Sequence, residues 1–94
     1  MPSASRLGDL CSGHGPWPPR PLIQGSSNVL INGIPAARQG DAYAVHCSPK
    51  KCHGGNAAAG APTVFVNGRP LVRIGDAVSC GSVSAIGSPN VFAG

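Results

Sequence analysis

The stretch Gly60-Ala61-Pro62-Thr63-Val64-Phe65-Val66-Asn67-Gly68-Arg69-Pro70-Leu71-Val72-Arg73-Ile74-Gly75-Asp76 decides how this chain is read. Val64-Phe65-Val66 is a β-branched and aromatic run bounded by turn formers, which is a strand signal. Asn67-Gly68 supplies the positive φ values of a two-residue type I′ hairpin turn. A returning strand is expected from Arg69 to Ile74, with Pro70 near its start, where a missing N–H is tolerated. Gly75-Asp76 closes that strand, and the Asp76 carboxylate is expected to accept backbone N–H bonds in the turn that follows.

The same pattern recurs on both sides. Gly25-Ser26-Ser27-Asn28-Val29-Leu30-Ile31-Asn32-Gly33 leads into a second returning strand, Ile34 to Arg38. Gly87-Ser88-Pro89-Asn90-Val91-Phe92-Ala93-Gly94 is a truncated third copy. The tetrapeptide Arg-x-Gly-Asp occurs as Arg6-Leu7-Gly8-Asp9, Arg38-Gln39-Gly40-Asp41 and Arg73-Ile74-Gly75-Asp76. Internal repetition of this kind is the strongest organising signal a sequence offers. It predicts three β-hairpin-like units joined by Gly/Pro-rich loops at 11–24, 42–59 and 77–86. Val29, Ile31, Val64, Val66, Val91 and Phe92 are the candidates for the core or for the base of the assembly. No stretch shows clean helical periodicity, and Gly55 to Gly60 is too short to form a helix.

Composition sets the limits. The 94 residues include 14 Gly and 10 Pro, so the chain is either disordered or densely turned, and the repeats favour turns. A single domain of 1–94 is expected, without an N- or C-terminal extension domain. A chain this short buries a limited core and usually needs a metal or a disulfide to hold it. Net charge is +4 with 11% charged residues. The basic residues are scattered, and Lys50-Lys51 is the one adjacent pair, so no nucleic-acid stripe forms. No apolar run reaches the ~20 residues of a membrane span, and Met1 to Leu10 lacks the pattern of a signal peptide. Synthesis in a reducing cytoplasm follows, where Cys and His clusters read as metal sites before disulfides.

All the Cys and His residues fall in the three loops: Cys11, His14, His46, Cys47, Cys52, His53 and Cys80. His14 and His46 each lie five residues past a Gly-Asp, and Cys80 lies four past. Stacking the units with approximate threefold symmetry gathers these three at one end, and His53 supplies a fourth ligand. Three imidazoles and a thiolate suit tetrahedral Zn2+, and four protein ligands make a closed, structural site. A rival set uses Cys47 and Cys52 on the metal. If they are not ligands, those two either pair as a disulfide or stay, like Cys11, as free thiols. No catalytic residue is expected: a zinc hydrolase needs an open coordination position and a carboxylate base, whereas the chain has no Glu and each Asp sits at a turn.

The run Gly-Ser/Ala-x-x-Val-x-Val/Ile-Asn-Gly-x-Pro-x-x-Arg-x-Gly-Asp resembles the PAAR-repeat family, whose defining tetrapeptide stands here as Pro35-Ala36-Ala37-Arg38. The second copy departs from it as Pro70-Leu71-Val72-Arg73. The resemblance implies a mainly β, cone-shaped, pseudo-threefold fold pinned by a zinc ion on His14, His46, His53 and Cys80. It implies a structural tip that caps and sharpens a trimeric VgrG-type spike, one tip per trimer, in a type VI secretion system or contractile phage tail. The tip would be made in the bacterial cytoplasm and exported on the spike. It would touch the target-cell membrane in passing and carry toxic effectors non-covalently. The alternative is a cytoplasmic zinc-binding adaptor or nucleic-acid-binding module.

Overall fold

Asn32-Gly33 adopts φ values of 54° and 76°, and Asn67-Gly68 of 53° and 77°. Those angles are left-handed, and they make the two-residue turns that the sequence predicts. The computed structural model describes all residues except Pro16, Ser48 and Lys50, so one half of the basic pair lies outside the described residues. Among the described residues there are six short strands and no helix: β1 Leu30–Ile31, β2 Ile34–Pro35, β3 Ala42–Cys47, β4 Cys52–Asn56, β5 Phe65–Val66 and β6 Arg69–Pro70. They pair antiparallel as β1–β2, β3–β4 and β5–β6.

The returning strands are shorter than expected. Each stays on its hairpin partner for two residues, then pairs with the next copy. Arg6 bridges Ala36, Arg38 bridges Leu71, and Arg73 bridges Ala4. These positions are equivalent in the repeat, so the three bridges close a ring. The third hairpin is made by the two ends of the chain: Ser3 bridges Phe92, as Pro35 faces Leu30 and Pro70 faces Phe65. The Ala93 N–H donates to the Pro2 carbonyl at 3.0 Å.

The ring separates two small cores. Ala4, Ile31, Ala36, Ala61, Val66, Leu71 and Ala93 form one cluster. Cys11, Leu22, Ala37, Tyr43, Ala57, Val72 and Val78 form the other. Successive residues of an extended segment face opposite ways, so Ala36 enters the first cluster and Ala37 the second, as do Leu71 and Val72. Both alanines of the Pro-Ala-Ala-Arg tetrapeptide are fully buried. Of the expected core or base residues, Ile31 and Val66 are buried, and Val64 and Val91 pack partly buried against them. Val29 and Phe92 are exposed.

The aspartates bond backward, not forward as expected. Positive φ at Gly8, Gly40 and Gly75 folds each Arg-x-Gly-Asp onto itself. Asp9, Asp41 and Asp76 each accept the backbone N–H of the Arg three residues earlier at 2.8 Å. The guanidinium of that Arg donates to the same carboxylate, with Nε at 3.0 to 3.1 Å. The turn asparagines act twice. Asn67 also accepts from the Ser26 hydroxyl at 2.6 Å and donates to Asn28 at 2.8 Å. Asn32 bonds Ser88 and Asn90 in the same way, so each turn braces a neighbouring copy.

Asp41 is the most enclosed of the three aspartates, its side chain 2% exposed against 10% and 11% for Asp9 and Asp76. Asp41→Ala removes the anion from a largely buried guanidinium, which keeps only its bonds to Asn67 and the Gly25 carbonyl, leaves the Arg38 N–H unpaired, and is expected to cost about 3 kcal/mol. Asp9→Ala and Asp76→Ala are expected to cost less. Urea unfolding of the three variants checks that order, and equal losses would refute it.

Candidate metal centre

The three segments expected as loops are themselves hairpins. The second contains the longest strands of the fold, β3 and β4. In the first, Leu10 bridges Pro21 and His14 bridges Trp17; in the third, Ala77 bridges Val83. They tie to one another through Leu22–Tyr43, Ala57–Val78 and Cys11–Ser84. These pairs stack a second closed ring on the first and carry the Cys and His residues to one place.

A bulge sets the aim of the second hairpin. Tyr43 pairs with Gly55 and His46 with His53, so β3 holds one residue more than β4 between those pairs. The extra residue resets the alternation: Tyr43 and His46, three apart, are both buried. His46 and His53 therefore meet on the inner face, with ring centroids 4.4 Å apart. Cys47 and Cys52 face each other at the next pair and are joined by a disulfide. Both are exposed, and their sulfurs are bonded to each other and not turned toward the histidines. Cys11 and Cys80 are free thiols.

His14, His46, His53 and Cys80 come together, with one ligand atom of each within 4.8 Å of all the others. His53 Nε2 lies 3.0 Å from His14 Nε2 and 2.7 Å from His46 Nε2. A tetrahedral zinc with Zn–N near 2.0–2.1 Å sets its nitrogens about 3.3 Å apart, close to this spacing. Protons alone satisfy the cluster poorly. The Pro18 carbonyl can only accept, so His46 Nδ1, 2.9 Å away, carries the proton and leaves Nε2 bare. If His53 donates to it, His53 Nε2 has no lone pair left for His14. A cation accepts all three nitrogens at once, and the donor set fits one. Desolvation, then the neighbouring His46, His14 and Lys51, lower the His53 pKa. Its lone pair therefore stays available into mildly acidic solution.

Cys80 reaches the site because Gly55 makes room. A Cβ on Gly55 would stand 3.1 Å from Cys80 Sγ and 2.9 Å from a Val78 methyl. Two contributors were not singled out from the sequence: the Pro18 carbonyl behind His46, and Trp17, whose ring lies 4.7 Å from His53 and 4.9 Å from His14. Trp17 follows His14 by three residues, but only their backbone pairing in the structure brings the two rings together.

Gly55→Ala is expected to push Cys80 aside and weaken divalent-metal affinity by about tenfold. Chelator competition measures it, and an unchanged affinity would show that Cys80 needs no such space. Replacing Cys47 and Cys52 together with Ser is expected to cost about 2 kcal/mol, the value for so short a closed loop. Urea melts of the wild type with and without a reductant should reproduce that difference.

A family model described as PAAR motif matches residues 12–86. No curated protein matches the chain. The matched span includes all four convergent residues, both Asn-Gly turns and two of the three Arg-x-Gly-Asp turns. Covering most of the sequence, the match leads to one conclusion: the chain belongs to the PAAR-motif family.

Proposed function

We propose that residues 1–94 act as one domain, the tip of a contractile injection spike, seated one per trimer on the blunt end of a VgrG-type protein. The family is a structural spike-tip family of type VI secretion and related contractile systems, and that membership carries the reading. The closed ring of Arg6–Ala36, Arg38–Leu71 and Arg73–Ala4 supports the finer part of it. Three equivalent units in one chain can meet a trimer at three equivalent sites. Leu30, Phe65 and Phe92 occupy the same repeat position and are 59%, 58% and 49% exposed. Apolar side chains repeated in this way suit an apolar, threefold partner.

The metal belongs to the same reading. Zinc on His14, His46, His53 and Cys80 would link all three upper hairpins, and a site closed by four protein ligands serves as a strut. The residues around it have matching tasks: Pro18 orients His46, and the bulge in β3 aims it. Nucleic acid is a poor alternative partner, because Arg6, Arg38 and Arg73 are paired with Asp9, Asp41 and Asp76. Among the described residues, no helix is long and apolar enough to cross a membrane. On this reading the tip leaves the bacterial cytoplasm riding on the spike and carries effectors with it.

Native mass spectrometry of the chain mixed with the VgrG-type trimer of its own secretion system tests the docking. One chain per trimer is expected, and Phe65→Asp combined with Phe92→Asp should weaken the complex by at least about tenfold. Three chains per trimer, or no complex, would sink the proposal. Elemental analysis tests the strut: about one zinc per chain is expected, lost or weakened in His14→Ala, His46→Ala, His53→Ala and Cys80→Ser. A metal-free wild type would overturn the ligand assignment.

A further inference from the structure

Trp17 is the single tryptophan of the chain, and it belongs to neither core cluster. Its ring contacts are with the histidines: 4.7 Å to His53, 4.9 Å to His14 and 6.4 Å to His46 between centroids. Its indole N–H donates to the Lys51 carbonyl at 3.2 Å, next in sequence but one to His53. The indole thus spans from the first hairpin to the second across the ligand cluster. The backbone holds it there. His14 and Trp17 exchange both backbone hydrogen bonds, at 3.0 and 2.9 Å. Gly13, at φ 71°, lets the chain fold back where a Cβ would strike the Trp17 carbonyl at 2.6 Å.

We propose that Trp17 is the lid of the metal centre, a residue that ligates nothing and sets how fast the ion leaves. This rests on the four-ligand reading above. Release from a closed tetrahedral site begins when one ligand swings off and water or a competing ligand reaches the ion. The indole covers two of the imidazoles that would swing, and it moves only by giving up its bond to Lys51. An aromatic surface over the ligands also excludes water, which strengthens metal–ligand electrostatics by lowering the local dielectric. A strut on a driven tip has use for slow exchange, since the ion must outlast passage through solutions that hold competing ligands.

The test compares the zinc-loaded wild type with Trp17→Phe and Trp17→Ala. Zinc content per chain is measured first, then the rate of zinc transfer to an excess of a chromogenic chelator. All three proteins are expected to hold about one zinc. Transfer should be about tenfold faster in Trp17→Ala, of the order seen when a metal's supporting shell is removed. Trp17→Phe, which keeps a ring but loses the N–H, should fall between. Equal rates in all three proteins would overturn the lid. So would a Trp17→Ala protein that binds no zinc while the wild type binds one, because Trp17 would then be needed to build the site. A wild type without zinc would instead sink the ligand assignment itself, and that failure is read before any rate. A second reading uses Co2+ in place of zinc. Tryptophan emission should be quenched in step with the Co2+ absorption bands and complete at about one equivalent. Emission that ignores bound Co2+ would place the indole away from the ion and end the proposal.

Discussion

Closure of the first backbone ring is the constraint on which the rest of the structure depends. Arg6, Arg38 and Arg73 each reach across to the next copy, so no returning segment is left with an open edge toward the centre. An isolated two-stranded hairpin is marginal in water. Two of them with two residues of ladder each and a third held by the single bridge Ser3–Phe92 are stable only as a closed set. Four of the seven buried residues at this level are alanine, alongside Ile31, Val66 and Leu71. Ala4, Ala36 and their equivalent Leu71 are all buried in this one cluster.

The ring also explains the charge pattern. Each copy leaves the ring through Arg-x-Gly-Asp, and the aspartate ties the exit back to its own arginine. The chain then rises into an upper hairpin with a fixed origin and direction. Three such origins at equivalent positions bring three hairpins side by side, and a second ring of pairings locks them. The upper cluster holds seven buried residues, Cys11 and Tyr43 among them, too few to bury a large apolar surface. Past that cluster the chain has polar and imidazole groups to bring together in place of a core. That is where a small domain gains most from a cross-link, and the Cys47–Cys52 disulfide sits at the same end.

Much of this was legible beforehand. The Asn-Gly turns are decided locally, since few residue pairs adopt two positive φ values. The register of His14, His46 and Cys80 behind each Gly-Asp was legible because the ring gives each copy the same starting point. The upper hairpins were not legible. Ala42 to Cys47 breaks the two-residue alternation that marks a strand, since the bulge buries both Tyr43 and His46. Cys52 to Asn56 carries two glycines and no β-branched residue. Its propensity speaks against a strand, and its pairing with β3 overrides that. The backward bond of each aspartate also stayed hidden, because it follows from the glycine angle before it.

The sequence by itself determined the repeat, the three hairpin units and the set of residues from which a metal site could be drawn. Those properties are local: they depend on backbone angles, on β-branched runs and on distance along the chain. Only the tertiary structure shows which residue type of the second hairpin, imidazole or thiol, faces the cluster. His46-Cys47 and Cys52-His53 are almost mirror images in sequence, and which member of each pair faces inward depends on one bulged residue in β3. That residue turns His46 and His53 toward His14 and Cys80 and Cys47 and Cys52 toward each other at the surface. The placement of Trp17 over the cluster was decided in the same way, by contact between hairpins whose relation no local spacing encodes.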